Sequence, residues 1–287
     1  LATLVLLALA VGLTAVMVGG LGWMERMMRT PGPHATVVRI HVYPGRSLRT
    51  TLQEIAARGA LRDPRAVEWY VRLHGGRVAA KAGNYDLPAQ ATPADILAQL
   101  NAGRVVLEQL TVVEGWTFAD MRREIDGHPR IRHTLKGQPA EAVMRAIGHA
   151  GRHPEGRFFP DTYRFADGTT DREIYSLAWD TMARELAAAW AMRRANLPIA
   201  SADEALILAS IVEKETGVAS ERPRVAAVFV NRLRKGMKLQ SDPTIIYGLT
   251  KGVPLGRGIR QSELDKATPY NTYVINGLPP TPIANPG

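Results

Sequence analysis

The chain has 287 residues, 46% of them hydrophobic, which is enough apolar material for two folded domains and too much for a disordered chain. Lys and Arg number 36 against 27 Asp and Glu, and the net charge of +9 points to an anionic partner: nucleic acid, acidic lipid or an acidic wall polymer. Cysteine is absent, which excludes disulfides, thiol catalysis and lipid attachment through Cys.

Residues 1–24 carry no charge, and about 20 apolar residues suffice to span a bilayer. Trp23 lies where an interfacial aromatic is expected. Ala8-Leu9-Ala10 resembles a signal-peptide cleavage site, but it lies inside the apolar run, so an uncleaved single anchor is the expectation. Arg26 and Arg29 behind the span do not decide its orientation. A linker over residues 25–35 contains Thr30-Pro31-Gly32-Pro33.

A small mixed module is expected over residues 36–113. Val37 to Tyr43 alternates loosely and is β-branched, a strand. Ser47 caps a helix ended by Gly59, and Asp63-Pro64 opens a second with Val67, Tyr70 and Val71 on one face. Ala82 to Leu87 is a short strand, Thr92-Pro93 starts a third helix closed by Gly103, and Val105 to Val113 is the last strand.

The second domain is expected over residues 114–287. Thr117 caps a helix carrying Phe118, Met121 and Ile125. Glu155 to Tyr163 is an aromatic loop leading to a strand, and residues 171–195 form a long helix. Residues 202–216 read as a helix apolar on nearly every face, and such a helix is buried. Ser201 and Glu204 have capping-box spacing, and Gly217 is a natural stop. A helix from Glu221 to Arg234 is expected to turn Val225, Val228, Phe229 and Leu233 inward and its arginines outward. Asp242 is a candidate cap for a short helix with Pro243 at its first position. The chain starts at Leu1 and closes at Asn285-Pro286-Gly287 in a Pro-rich stretch, so further residues are expected at both ends.

Glu213 shares a stripe with Leu206, Ala209 and Ser210 on the buried helix. A carboxyl taken out of water holds its proton more tightly, which suits a general acid in sugar chemistry. The alternative is a structural ion pair with a Lys or Arg. Glu215 points elsewhere on the helix and is the weaker candidate. All seven histidines lie at or before His153, so the half holding Glu213 lacks an imidazole base and zinc ligands. No HExxH, P-loop or GxGxxG is present, and neither a metal nor a cofactor is expected. No zinc-finger, basic-zipper or RNA-binding signature accompanies the charge, so nucleic acid is not the expected partner. Gln240 to Gly248 and Pro269 to Tyr273 are polar-aromatic stretches of the kind that suit a sugar polymer, though plain turns share that composition.

Several stretches together resemble the YceG-like family of endolytic murein transglycosylases. They are Ala82-Gly83-Asn84-Tyr85, Glu114-Gly115-Trp116-Thr117, Phe159-Pro160-Asp161-Thr162-Tyr163, Leu208 to Thr216, Val228 to Leu233, Gln240 to Gly248, and Tyr270 through Gly277-Leu278-Pro279-Pro280 to Gly287. The resemblance implies an α+β chain: a transmembrane helix, a LysM-like module, and a mainly helical catalytic domain with short strands, continued beyond Gly287. It implies a single-pass protein of the bacterial inner membrane with its catalytic domain on the periplasmic side. The implied activity is cleavage of nascent peptidoglycan strands between N-acetylmuramic acid and N-acetylglucosamine, giving 1,6-anhydro ends, beside penicillin-binding glycan synthases and as a terminator of strand growth. It places the catalytic acid/base at Glu213. Gln240, Ser241, Thr244, Tyr247, Tyr270 and Asn271 become substrate-contact candidates through their motifs, with Asp242 the second carboxylate if the enzyme were a hydrolase. The competing readings are a non-catalytic wall-binding division scaffold and a hydrolytic muramidase.

Overall fold

The computed structural model describes every residue except Leu1, Pro44, Arg77 and Ala79, and also leaves the side chains of residues 2–10, 13, 15 and 16 undescribed. The chain is mixed α and β and divides into two compact units, residues 1–108 and 109–287. Its first helix, α1, runs Ala2–Met28. Among the described residues no helix is long and apolar enough to cross a membrane. Much of the span expected over residues 1–24 lies outside the residues whose side chains are described.

In the first unit α1 is followed by β1 (Val38–Val42), α2 (Leu48–Ala57), α3 (Pro64–Leu73), β2 (Gly83–Leu87) and α4 (Pro93–Ala102). The capping residues act as the sequence suggests: Ser47, Asp63 and Thr92 each accept a backbone N–H of the first turn. β1 and β2 pair antiparallel, with Ile40 opposite Tyr85 and Val42 opposite Gly83. Their inward residues Ile40, Val42, Tyr85 and Leu87 pack on Leu52 and Ile55 of α2, Val67 of α3 and Leu100 of α4. The helices thus bury one stripe each against one face of a two-stranded ribbon, which alone would be marginal in water.

β3 (Leu107–Thr111) carries the chain into the second unit, where it is neighbour to β4 (Thr162–Ala166) in a two-stranded sheet. Around it lie α5 (Phe118–Gly127), α6 (Ala140–Ala146) and α7 (Asp171–Ala191), with Leu110, Phe118, Met121, Ile125, Phe158 and Tyr175 in a common core. α8 (Ala202–Glu215), α9 (Arg222–Arg234), α10 (Asp242–Thr250) and the short α11 (Gln261–Leu264) follow, with a second core of Leu208, Ile211, Val212, Phe229, Leu239, Tyr247 and Ile283.

Some local expectations change: α7 stops at Ala191, short of the expected residue 195. Phe229 is buried and Val225 and Leu233 are partly buried as expected, but Val228 lies off that stripe and is exposed, and Arg222 and Arg232 are only partly exposed. Asp242 is the first residue of α10 and not its cap; Ser241 holds the cap position, and the Asp242 carboxylate accepts the Tyr273 hydroxyl. α8 ends at Glu215, before Gly217: Thr216 leaves the helical conformation and its hydroxyl donates to Glu221.

Candidate active site

α8 is built as its sequence demands, with Leu206, Ile207, Leu208, Ser210, Ile211 and Val212 buried along most of its length. Ser201 caps it by accepting the Glu204 N–H, while the Glu204 carboxylate reaches back one residue further, to the Ala200 N–H. Buried Ser210 donates to the Ile207 carbonyl and accepts the Ile283 N–H, which ties the segment 282–287 to the helix. That segment is fastened from its other side as well. Asn285 accepts the Phe158 N–H on its side chain, and its backbone exchanges hydrogen bonds with Gly115 and Trp116. Gly156 permits the approach: a Cβ there would stand 2.3 Å from Pro282, and its φ of +73° lies in the left-handed region.

Glu213 lies in the last turn of α8, beside this segment. Its side chain is only 7% exposed. One carboxylate oxygen accepts Arg222 Nη2 at 3.3 Å and the other accepts the Gly287 N–H at 3.3 Å. The same Arg222 nitrogen donates to Glu114 at 2.7 Å, so two carboxylates share one guanidinium. Glu213 and Arg222 line a groove of about 460 Å³ together with Leu208, Val212, Ala226 and Val230. Both sequence alternatives for Glu213 thus meet in one residue: it is nearly buried and it is ion-paired. Glu215 is exposed and accepts the Ser241 hydroxyl at 2.5 Å.

The chain belongs to the YceG-like family. The family model matches residues 40–287. A Bacillus subtilis protein named endolytic murein transglycosylase is 28% identical over 269 residues, covering 88% of this chain and 73% of that protein. Streptococcus pneumoniae proteins of the same name are 30% identical over 241 residues, covering 72% of this chain and 42% of theirs. A crystal structure of a protein described as yceG-like, from Listeria monocytogenes, is 25% identical, with a TM-score of 0.50 over 88% of this chain and 87% of that one.

Within this YceG-like chain the other candidates form a polar scaffold beside α8. Ser241, Thr244 and Asn271 are buried, as is Thr272. The Ser241 N–H donates to Thr272 Oγ1, and the Thr244 and Thr272 hydroxyls lie 2.8 Å apart. Asn271 donates to the carbonyls of Glu263, Leu264 and Lys266, which pins its loop. Tyr247 and Tyr270 pack with ring centroids 5.0 Å apart, and Gly248 has no Cβ to meet Tyr270. Gln240 and Asp242 face solvent, Gln240 accepting Arg232 and Asp242 accepting Tyr273. The Asp242 hydrogen bond, then burial, pushes the Tyr273 phenol up to about 12. Asp242 has no ion pair with a described residue, whereas Glu114 shares the guanidinium of Glu213.

Three further residues belong to this region, though no sequence pattern assigned them a role. Arg222 and Glu114 are the first two. Glu155 is the third: it is buried, accepts the Phe118 N–H at 2.9 Å and the Tyr247 hydroxyl at 3.1 Å, and burial pushes its carboxyl up to about 7 against those donors. Burial and the neighbouring Glu155 in turn hold the Tyr247 phenol protonated far above its usual range. The available signal was positional, since Glu114 and Glu155 each precede a glycine that takes a positive φ.

Proposed function

We propose that this chain is an endolytic murein transglycosylase, with Glu213 as its single acid and base. The observation that carries the reading is a nearly buried carboxyl lining an open groove, on the helix that the resemblance marks, in a chain of the YceG-like family. The relatives named endolytic murein transglycosylase support the substrate, the glycan strand of peptidoglycan.

Protonated Glu213 gives its proton to the glycosidic oxygen, and the bond from that oxygen to the anomeric carbon of N-acetylmuramic acid breaks. N-Acetylglucosamine leaves with the new hydroxyl. The Glu213 carboxylate then takes the proton of the muramic acid 6-hydroxyl, whose oxygen bonds to the anomeric carbon and closes the 1,6-anhydro ring. No water is consumed. The nucleophile belongs to the substrate, so it needs no bimolecular encounter, and one carboxyl serves where ordinary glycosidases use two. The exposed Gln240 and Asp242 contact the strand, while Ser241, Thr244, Tyr247, Tyr270 and Asn271 act by holding the loops that shape its path.

The chain is read as anchored through α1 in the bacterial inner membrane, facing the periplasm, beside glycan synthases whose strands it ends. The uncharged run of residues 1–24 supports the anchor. The order β1-α2-α3-β2 with an antiparallel pair supports a LysM-like module. The Arg222 ion pair favours a second reading, a wall-binding scaffold in which Glu213 is structural.

Mass spectrometry of uncrosslinked strands treated with wild type and with Glu213→Gln separates them. Anhydro-ended fragments lost in the variant are expected. Reducing-end fragments would make the enzyme a hydrolase, and strand binding without cleavage would make it a scaffold.

A further inference from the structure

The guanidinium beside Glu213 is held more closely by a different carboxylate. Arg222 Nη2 stands 2.7 Å from Glu114 and 3.3 Å from Glu213. Arg222 is the first residue of α9 and its side chain is 29% exposed; Glu114 lies on the loop before α5, 52% exposed, and Glu213 is 7% exposed. The Glu114 hydrogen bond, ahead of the charge of Glu213, holds the Arg222 guanidinium charged above its usual range. Arg222 Nε is buried without a hydrogen-bond partner, so Nη2 carries the guanidinium's ties to both carboxylates.

A general acid must be neutral when the leaving group needs its proton and ionised afterwards. When Glu213 is ionised, Arg222 can serve it. When Glu213 is protonated, a half-buried cation would be left uncompensated unless another carboxylate stood by, and unpaired buried charge is costly. Glu114 is that carboxylate.

We propose that Glu114 is a positioning residue of the active site, acting on Glu213 through Arg222: it keeps the guanidinium paired while Glu213 carries its proton and lends it back when Glu213 is ionised. The inference rests on Glu213 being the acid. Glu213 also faces the Gly287 N–H, and Lys214, beside it on α8, donates to the Gly115 carbonyl. No Lys, Arg or His of α7 or α10 among the described residues is within ion-pairing distance of Glu213. The ionisable groups of α10, Asp242 and Tyr247, and Lys251 just after it, face Tyr273, Glu155 and the Tyr247 and Tyr270 rings respectively.

The test is a carbon-13 NMR titration of the glutamate carboxyls in the full chain, with the Glu213 signal assigned by its loss in Glu213→Gln. Glu114→Gln frees Arg222 to lean on Glu213 and removes a nearby negative charge, so the Glu213 midpoint moves to lower pH. Arg222→Gln moves it to higher pH. In the Arg222→Gln background, Glu114→Gln moves it much less.

Cleavage follows the same sense: one pH unit above the optimum, Glu114→Gln makes about threefold to tenfold fewer cuts, with a smaller deficit below the optimum. Glu114→Asp, which keeps the charge, restores most of the wild-type profile and serves if the glutamine variant does not fold. An unmoved or raised midpoint in Glu114→Gln, or an equal shift with Arg222 already removed, overturns the proposal. A wild type that cleaves nothing would overturn the function reading instead, because the midpoints are read without turnover.

Discussion

Two glutamates of the second unit are nearly buried and are treated in opposite ways. Glu155 sits against the Phe118 N–H and the Tyr247 hydroxyl, with no cation in ion-pairing reach among the described residues, and its carboxyl is pushed up to about 7. Glu213 has a guanidinium against it and a groove in front. Burial alone makes a carboxyl hold its proton; what decides whether that proton can do chemistry is a route to substrate and a counter-charge that can come and go. Glu155 is buried with neither, and it serves as an internal clasp between α5 and α10. Glu213 lines a groove and is paired with Arg222.

The largest effect expected from breaking this comparison is at Glu213. Glu213→Gln should lower strand cleavage by roughly 10²- to 10⁴-fold, the usual contribution of a general acid, with the fold intact by circular dichroism. Next comes the clasp. Glu155 titrates near 7 in the fold against an ordinary 4.5, so the folded state binds more protons between those values. Its stabilising contribution is full below about pH 4.5 and lost as the pH rises through about 7. Glu155→Gln is neutral throughout. Thermal melts should therefore show the variant gaining on wild type between pH 4.5 and pH 8, on the order of 3 kcal/mol at the upper end. A gap that does not change with pH would remove Glu155 as the buried titrating group.

Gly156→Ala tests the segment beside Glu213. The new Cβ would meet Pro282 at 2.3 Å in a left-handed backbone, and the variant should lose about 1–3 kcal/mol in denaturant melts. It should lose cleavage as well, because the 282–287 segment holds the Gly287 N–H against Glu213. The smallest effect is at the solvent face: Asp242→Asn should bring the Tyr273 phenol down from about 12 towards 10 in an ultraviolet titration, with little change in melting temperature.

Much of the local structure was legible in the sequence because it follows from neighbours along the chain. Thr92 and Thr117 cap their helices within reach of the residues three positions on, Asp95 and Asp120. The buried character of α8 followed from its unbroken apolar faces. The errors came where a near neighbour was not the true partner. Asp242 looked like a cap, but its carboxylate accepts Tyr273, and Val228 looked internal with Phe229, but the buried stripe of α9 runs through Val225, Phe229 and Leu233 and leaves Val228 in solvent.

The sequence by itself determined the mixed α and β class, the apolar helix that carries Glu213, and the motif set that matches the YceG-like family. Only the tertiary structure decided what stands against Glu213. Arg222, Glu114 and Gly287 come from α9, the loop before α5 and the segment 282–287, and Glu155 meets Tyr247 from far along the chain. Helical periodicity and capping act over a few residues, so a sequence displays them directly. Charge pairing and desolvation depend on distance in space, and those distances exist only once the chain has closed on itself.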